Sequence, residues 1–110
     1  MSTLTVPDGG HIIKDPSDIR VYQFDWGTDY LASGVEISTS TWTLTPLSGD
    51  TTTTPVTKDQ EGLVTGNRKT KVRLSAGAAG SMWRLDNRIV TNEIPAQTIE
   101  RSVAILVENR

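Results

Sequence analysis

The stretch Ser38-Thr39-Ser40-Thr41-Trp42-Thr43-Leu44-Thr45 decides the fold. Threonine returns at every second residue against Ser40, Trp42 and Leu44, and a period of two puts the two sets on opposite faces of an extended chain. This is a half-buried strand with a hydroxyl-bearing outer face, and Pro46 is expected to end it.

Working outward, residues 19–26 form an equally strong strand, with Tyr22, Phe24 and Trp26 on one face and Gln23 and Asp25 on the other. Residues 69–74 turn Val72 and Leu74 inward and Lys69, Lys71 and Arg73 outward. Residues 82–91 place Trp83, Leu85 and Ile89 opposite Arg84, Asp86 and Arg88, and residues 99–107 point Ile99, Val103, Ile105 and Val107 inward, with Arg101 the exception. Between these lie a loop at residues 27–34, with one helical turn over residues 29–32 capped by Thr28 and ended by Gly34, and a tight Ala/Gly connection at residues 75–81. Residues 48–57, with four consecutive threonines and Pro55, have no apolar face and read as a long loop or a frayed edge hairpin. Short strands at this spacing, without a long helix, predict an all-β sandwich or barrel.

The 110 residues fit one domain. Pro7, Gly9, Gly10 and Pro16 break the regularity of residues 1–18. That segment reads as an extended amino-terminal arm with a short strand near His11 to Lys14, held by a partner or docked on its own domain; residues 19–110 form the sandwich.

Cysteine is absent, which excludes a disulfide framework, a thiolate metal site and a thiol nucleophile. No run approaches the roughly 18 apolar residues of a membrane helix, and the first ten residues lack the pattern of a signal peptide. A soluble product made inside a cell, working there or freed by lysis, is the expectation. The net charge of -2 gives no general attraction to nucleic acid or anionic membrane, so neither is expected as a partner. The distribution is uneven: residues 1–67 carry nine acids against three bases, residues 68–110 four acids against eight bases. Such a division could serve head-to-tail contacts between subunits, unless the strands interleave in space and cancel it.

No catalytic, cofactor or metal centre emerges. His11 stands alone in the arm without the frame of a nucleophile and its base. Asp15 and Asp18 flank Pro16-Ser17 as turn formers do. The run from Ala76 to Ser81 lacks the Gly-Lys-Ser/Thr ending of a phosphate loop. The basic strand faces lack the aromatic platforms of a nucleic-acid binder, because the aromatics fall on core faces. Function is left to the exterior.

The chain resembles a family of small phage virion proteins of the fiber-tail adaptor or head-tail structural type. The resemblance rests on Lys14-Asp15-Pro16 with Asp18, then Tyr22, Phe24, Asp25 and Trp26, then Ser40-Thr41-Trp42-Thr43. It continues through Leu74-Ser75-Ala76-Gly77 with Gly80, Asn87-Arg88-Ile89 with Thr91, and Glu100-Arg101-Ser102, covering Lys14 to Val107 in order. The segment before His11 and the threonine stretch around Thr51 depart from it, and Trp83 and Leu85 stand where a Tyr and a small residue are expected.

The resemblance implies an immunoglobulin-like sandwich without enzymatic activity. It implies a place in the virion, in a tail or neck ring built of several copies, after synthesis in the host cytoplasm, beside tail, neck or fiber proteins. His11, Lys14, Tyr30, Thr51, Thr53, Arg84 and Arg88 are the residues expected to touch partners. A capsid decoration protein and a glycan- or receptor-binding module, the latter using Tyr30, are the rival readings.

Overall fold

Alternating apolar residues and turn-forming breaks organise the chain into eight strands in the computed structural model, which describes residues 3–5, 10–27 and 30–109. These are β1 (Thr3–Thr5), β2 (His11–Lys14), β3 (Arg20–Asp25), β4 (Ile37–Ser48), β5 (Val56–Leu63), β6 (Lys69–Ala76), β7 (Met82–Thr91) and β8 (Thr98–Val107). They form two four-stranded sheets, ordered β1-β3-β6-β5 and β2-β8-β7-β4. Neighbours are antiparallel except β1 beside β3 and β2 beside β8, which run parallel.

From β3 onward this is the strand order of a constant-type immunoglobulin sandwich, whose second, fifth and fourth strands share one sheet and whose third, sixth and seventh share the other. The two leading strands divide between the sheets, so residues 11–14 dock on the chain's own domain. The β1 to β3 pairing is parallel, with Leu4 in register with Tyr22.

The faces sort as the alternation demands. Tyr22, Phe24, Trp26, Trp42 and Trp83 are all buried, with Val72, Leu74, Leu85, Ile89, Val103, Ile105 and Val107. Phe24 meets Trp42 at 5.0 Å between ring centroids, tilted 50°. Antibody domains join the sheets beside the equivalent tryptophan with a disulfide. This chain uses hydrogen bonds instead. Trp26 Nε1 donates to Thr70 Oγ1 (3.1 Å) and Asn87 Oδ1 (3.0 Å), and Thr70 Oγ1 donates to the same Oδ1 (2.6 Å). Asn87 Nδ2 then donates to Ser40 Oγ (2.9 Å) and to the Thr41 carbonyl (3.1 Å). One asparagine on β7 thus clasps both sheets, with both ends of its amide satisfied as a buried polar group requires.

Arg101 resolves the exception on β8. Its guanidinium carbon lies 4.7 Å from the Phe24 ring centroid and 5.3 Å from those of Trp26 and Tyr30, and Nη1 donates to the Asp25 carbonyl at 3.1 Å. Burial of the cation is offset by three ring faces and a carbonyl.

At several strand ends the structure departs from the reading of the sequence, as where β6 runs on to Ala76. Pro46 does not end β4, which runs on to Ser48. Proline is tolerated because β4 is an edge strand, and the ladder shifts register between Pro46 and Ser48. The strand β5 begins at Val56, inside the stretch read as a long loop or frayed edge hairpin, and its bulge between Asp59 and Gly62 interrupts any alternation. At the start of β3, Ile19 lies outside the strand and is exposed. The helical turn expected over residues 29–32 falls partly outside the described residues, since Thr28 and Asp29 are not among them; Tyr30 and Leu31 both donate their amides to the Trp26 carbonyl at 3.1 Å.

Candidate docking surfaces

The strand β2 can bury either His11 and Ile13 or Ile12 and Lys14, because period two forbids burying both isoleucines. It buries Ile12 and Lys14. Lys14 is wholly enclosed, and its Nζ donates to the carbonyls of Ala76 (2.5 Å) and Asp15 (3.0 Å). Burial holds its pKa below the usual 10.5, with Asp18 and Asp15 pulling the other way. Its ammonium is thus engaged by backbone carbonyls of its own domain. Asp15 and Asp18 are engaged in the adjoining turn: Asp15 Oδ1 accepts from the Ser17 amide at 2.8 Å, and Asp18 Oδ2 from the Asp15 amide at 3.2 Å.

The opposite choice of face turns His11 and Ile13 outward, and Ile13 is 47% exposed. Ile13 is in register with Leu106, Leu106 with Met82 and Met82 with Ser48, while His11 is in register with Ala104. His11, Ile13, Met82, Ala104 and Leu106 line an apolar recess of about 200 Å³ at the end of the sheet where β4 passes into the threonine loop.

Farther along the same face, Arg84 and Arg88 join Thr41, Thr43, Thr45, Asp86 and Glu100 around a shallow polar concavity of about 420 Å³. The ladder sets Thr41 opposite Arg88, Thr43 opposite Asp86 and Thr45 opposite Arg84. The charges are already paired, Arg84 with Asp86 at 3.1 Å and Arg88 with Glu100 at 3.6 Å, and Ser102 Oγ donates to Asp86. The Arg88–Glu100 pair, exposed on both sides, holds its partners weakly, about 0–1 kcal/mol, so an incoming protein can exchange it for its own charges, whereas Asp86 is buried and fixed by Arg84 and Ser102 together.

Thr51 and Thr53 belong to the loop between β4 and β5, where Asp50 Oδ1 accepts the amides of Thr53 (3.0 Å) and Thr52 (3.2 Å). The Thr53 amide, foremost, draws the Asp50 pKa below its ordinary value. Tyr30 lies at the other end of the sandwich, half-buried edge-on against Trp26 at 5.1 Å. Its loop is held by Arg68, whose guanidinium donates to the carbonyls of Val35 (2.6 Å), Gly27 (2.9 Å), Ala32 (3.1 Å) and Leu31 (3.4 Å). Ile94, between β7 and β8, is fully exposed.

Of the seven residues singled out in the sequence, the fold gathers His11, Arg84 and Arg88 on one sheet face. It puts Thr51 and Thr53 on a loop at one end and Tyr30 at the other, and encloses Lys14. The apolar recess was missed, although the consecutive isoleucines signal it, since one of two adjacent residues in a strand must face out. The unequal charge of the two halves is offset on the other sheet: Asp25 stands opposite Lys69, and Asp59 binds Arg73 through two contacts of 2.8 and 2.5 Å. That contact lowers the Asp59 pKa and raises that of Arg73. Among the described residues no three of His, Cys, Asp or Glu converge as a metal-binding group.

The chain is thus a two-sheet sandwich with one polar and one apolar recess open on the outer face of a single sheet. The chain belongs to the family described as podophage GP4 fiber-tail adaptor protein gp77, whose model matches residues 14–106. It is accordingly a structural protein of the phage tail, a virion component that works among other tail and fiber proteins. No curated protein and no solved structure matches it.

Proposed function

We propose that this chain is a non-enzymatic adaptor that joins tail components to fibers or spikes, in several copies arranged as a ring. The observation that carries this reading is the family match over residues 14–106. The outer face of the second sheet supports it, because an apolar recess near an exposed, exchangeable ion pair suits a neighbouring protein better than a small substrate. His11, Arg84 and Arg88 make contacts on that face, Thr51 and Thr53 at the loop bordering it, and Tyr30 through the loop at the far end. The protein is made in the host cytoplasm and carried in the virion.

The test is co-sedimentation of the purified protein with fiberless tails, with isolated fibers and with empty heads. Binding to tails and fibers is expected, and Arg84→Glu/Arg88→Glu should weaken one of the two at least tenfold while the fold is kept. Binding to heads alone would instead identify a decoration protein, and indifference to all three would end the adaptor reading.

A further inference from the structure

The four sheet edges are not alike. The edge strands β1 and β2 have only three and four residues. At the remaining edge of the first sheet, β5 carries Lys58, Asp59 and Glu61, a bulge between Asp59 and Gly62, and Gln60 at a positive φ of 51°. Shortness, charge and bulging are the devices by which sheet proteins prevent edge-to-edge pairing. None of them protects the middle of β4. This strand has twelve residues, ends its sheet and holds no charged residue. Its ladder to β7 is unbroken from Thr39 to Pro46. Thr39, Thr41 and Thr43 are exposed, with high β-propensity.

The same segment reads alike in both directions about Trp42. An antiparallel copy centred there sets Thr39 opposite Thr45, Thr41 opposite Thr43 and Ser40 opposite Leu44. Threonine meets threonine along the outer face, core-facing residues continue the core face, and no like charges oppose each other. We propose that β4 is a self-association edge: two copies of this chain pair their β4 strands antiparallel about Trp42, joining the two β2-β8-β7-β4 sheets into one of eight strands.

This goes beyond the tail-adaptor reading and does not depend on it, since the partner is a second copy. Without side-chain burial on the scale of a standard interface, the dimer forms on the order of micromolar concentration or above. Sedimentation velocity from ~10 μM to ~1 mM reads it directly.

Two variants fix the register. Thr41→Glu/Thr43→Glu sets carboxylates opposite each other across the pair and should weaken dimerisation at least tenfold. Thr41→Glu/Thr43→Lys sets opposite charges across the pair, and also against Arg88 and Asp86 on β7, and should dimerise at least as well as the wild type. Both positions are exposed, and far-UV circular dichroism verifies the fold. A wild-type protein that stays monomeric throughout, an oligomer that the double glutamate leaves unchanged, or a Glu/Lys variant as weak as the double glutamate would each overturn the proposal.

Discussion

Replacing Asn87 tests the hydrogen-bonded clasp that stands in for an inter-sheet disulfide. Alanine removes two bonds accepted at Oδ1 and two donated by Nδ2. The Trp26 N–H keeps Thr70 Oγ1 at 3.1 Å, and half-buried Ser40 regains water. What remains is a Thr70 hydroxyl proton without its acceptor, a weakened Thr41 carbonyl and a void at a fully buried site. Together these cost about 3 kcal/mol, or a fall in Tm of roughly 12 °C for a domain of this size.

Asn87→Leu fills the void without restoring the bonds and should cost about 2 kcal/mol. Asn87→Asp keeps the acceptors but seals a carboxylate away from water beside the Thr41 carbonyl, at about 4 kcal/mol near neutral pH. Burial raises the pKa of the introduced carboxyl in the folded state, so the native protein binds the proton more tightly than the unfolded chain. The excess loss relative to the alanine variant is therefore full above that raised pKa, and shrinks as pH falls toward the unfolded value near about 4. Urea titrations followed by tryptophan fluorescence, at neutral pH and at pH ~5, measure these differences. An alanine variant within ~0.5 kcal/mol of wild type, or an aspartate variant that matches it at every pH, would refute the clasp.

Three further outcomes are expected. Because burial lowers the Lys14 pKa below 10.5, the unfolded chain binds more protons between the two values, so stability rises with pH through that window; Lys14→Met should flatten this rise, read from urea midpoints at pH ~7 and ~10. Gly49 has φ +77°, and a Cβ there would lie 2.6 Å from the Gly80 carbonyl oxygen and 2.8 Å from Ser81 Cα; Gly49→Ala should cost about 3 kcal/mol by thermal denaturation. Arg68→Ala releases four loop carbonyls and should speed amide hydrogen exchange over residues 30–36 while leaving β7 and β8 protected.

The sequence makes plain the strands with one wet face and one dry one, central or edge: β7 matches its reading from Met82 to Thr91, and the edge strand β4 differs by Ile37 at its start and by its run through Pro46 to Ser48. The edge strand β5 was hard to see because, with its charges and bulge, it never alternates. Asn87 shares its face with Leu85 and Ile89, but nothing local announces that an amide will bridge two sheets. Its partners, Trp26 and Thr70, are 61 and 17 residues away. The docking face suffers likewise: Arg84 and Arg88 show themselves as outward residues, whereas the recess beside them is assembled from β2, β7 and β8 and exists only once the register is set.

The parallel pairing of β2 with β8 has a mechanical consequence. The chain enters β2 at one end of the pair and leaves β8 at the other, and the Glu108 amide adds a bond to the Lys14 carbonyl at 2.9 Å. Tension applied ahead of β2 and after β8 therefore runs along the strands and loads their hydrogen bonds side by side, in shear, rather than peeling them one at a time. With Ile12 and Lys14 keyed into the core, that short pair acts as a lock across the direction of pull. A sandwich in a phage tail can carry load through β2 and β8 without first giving up its interior.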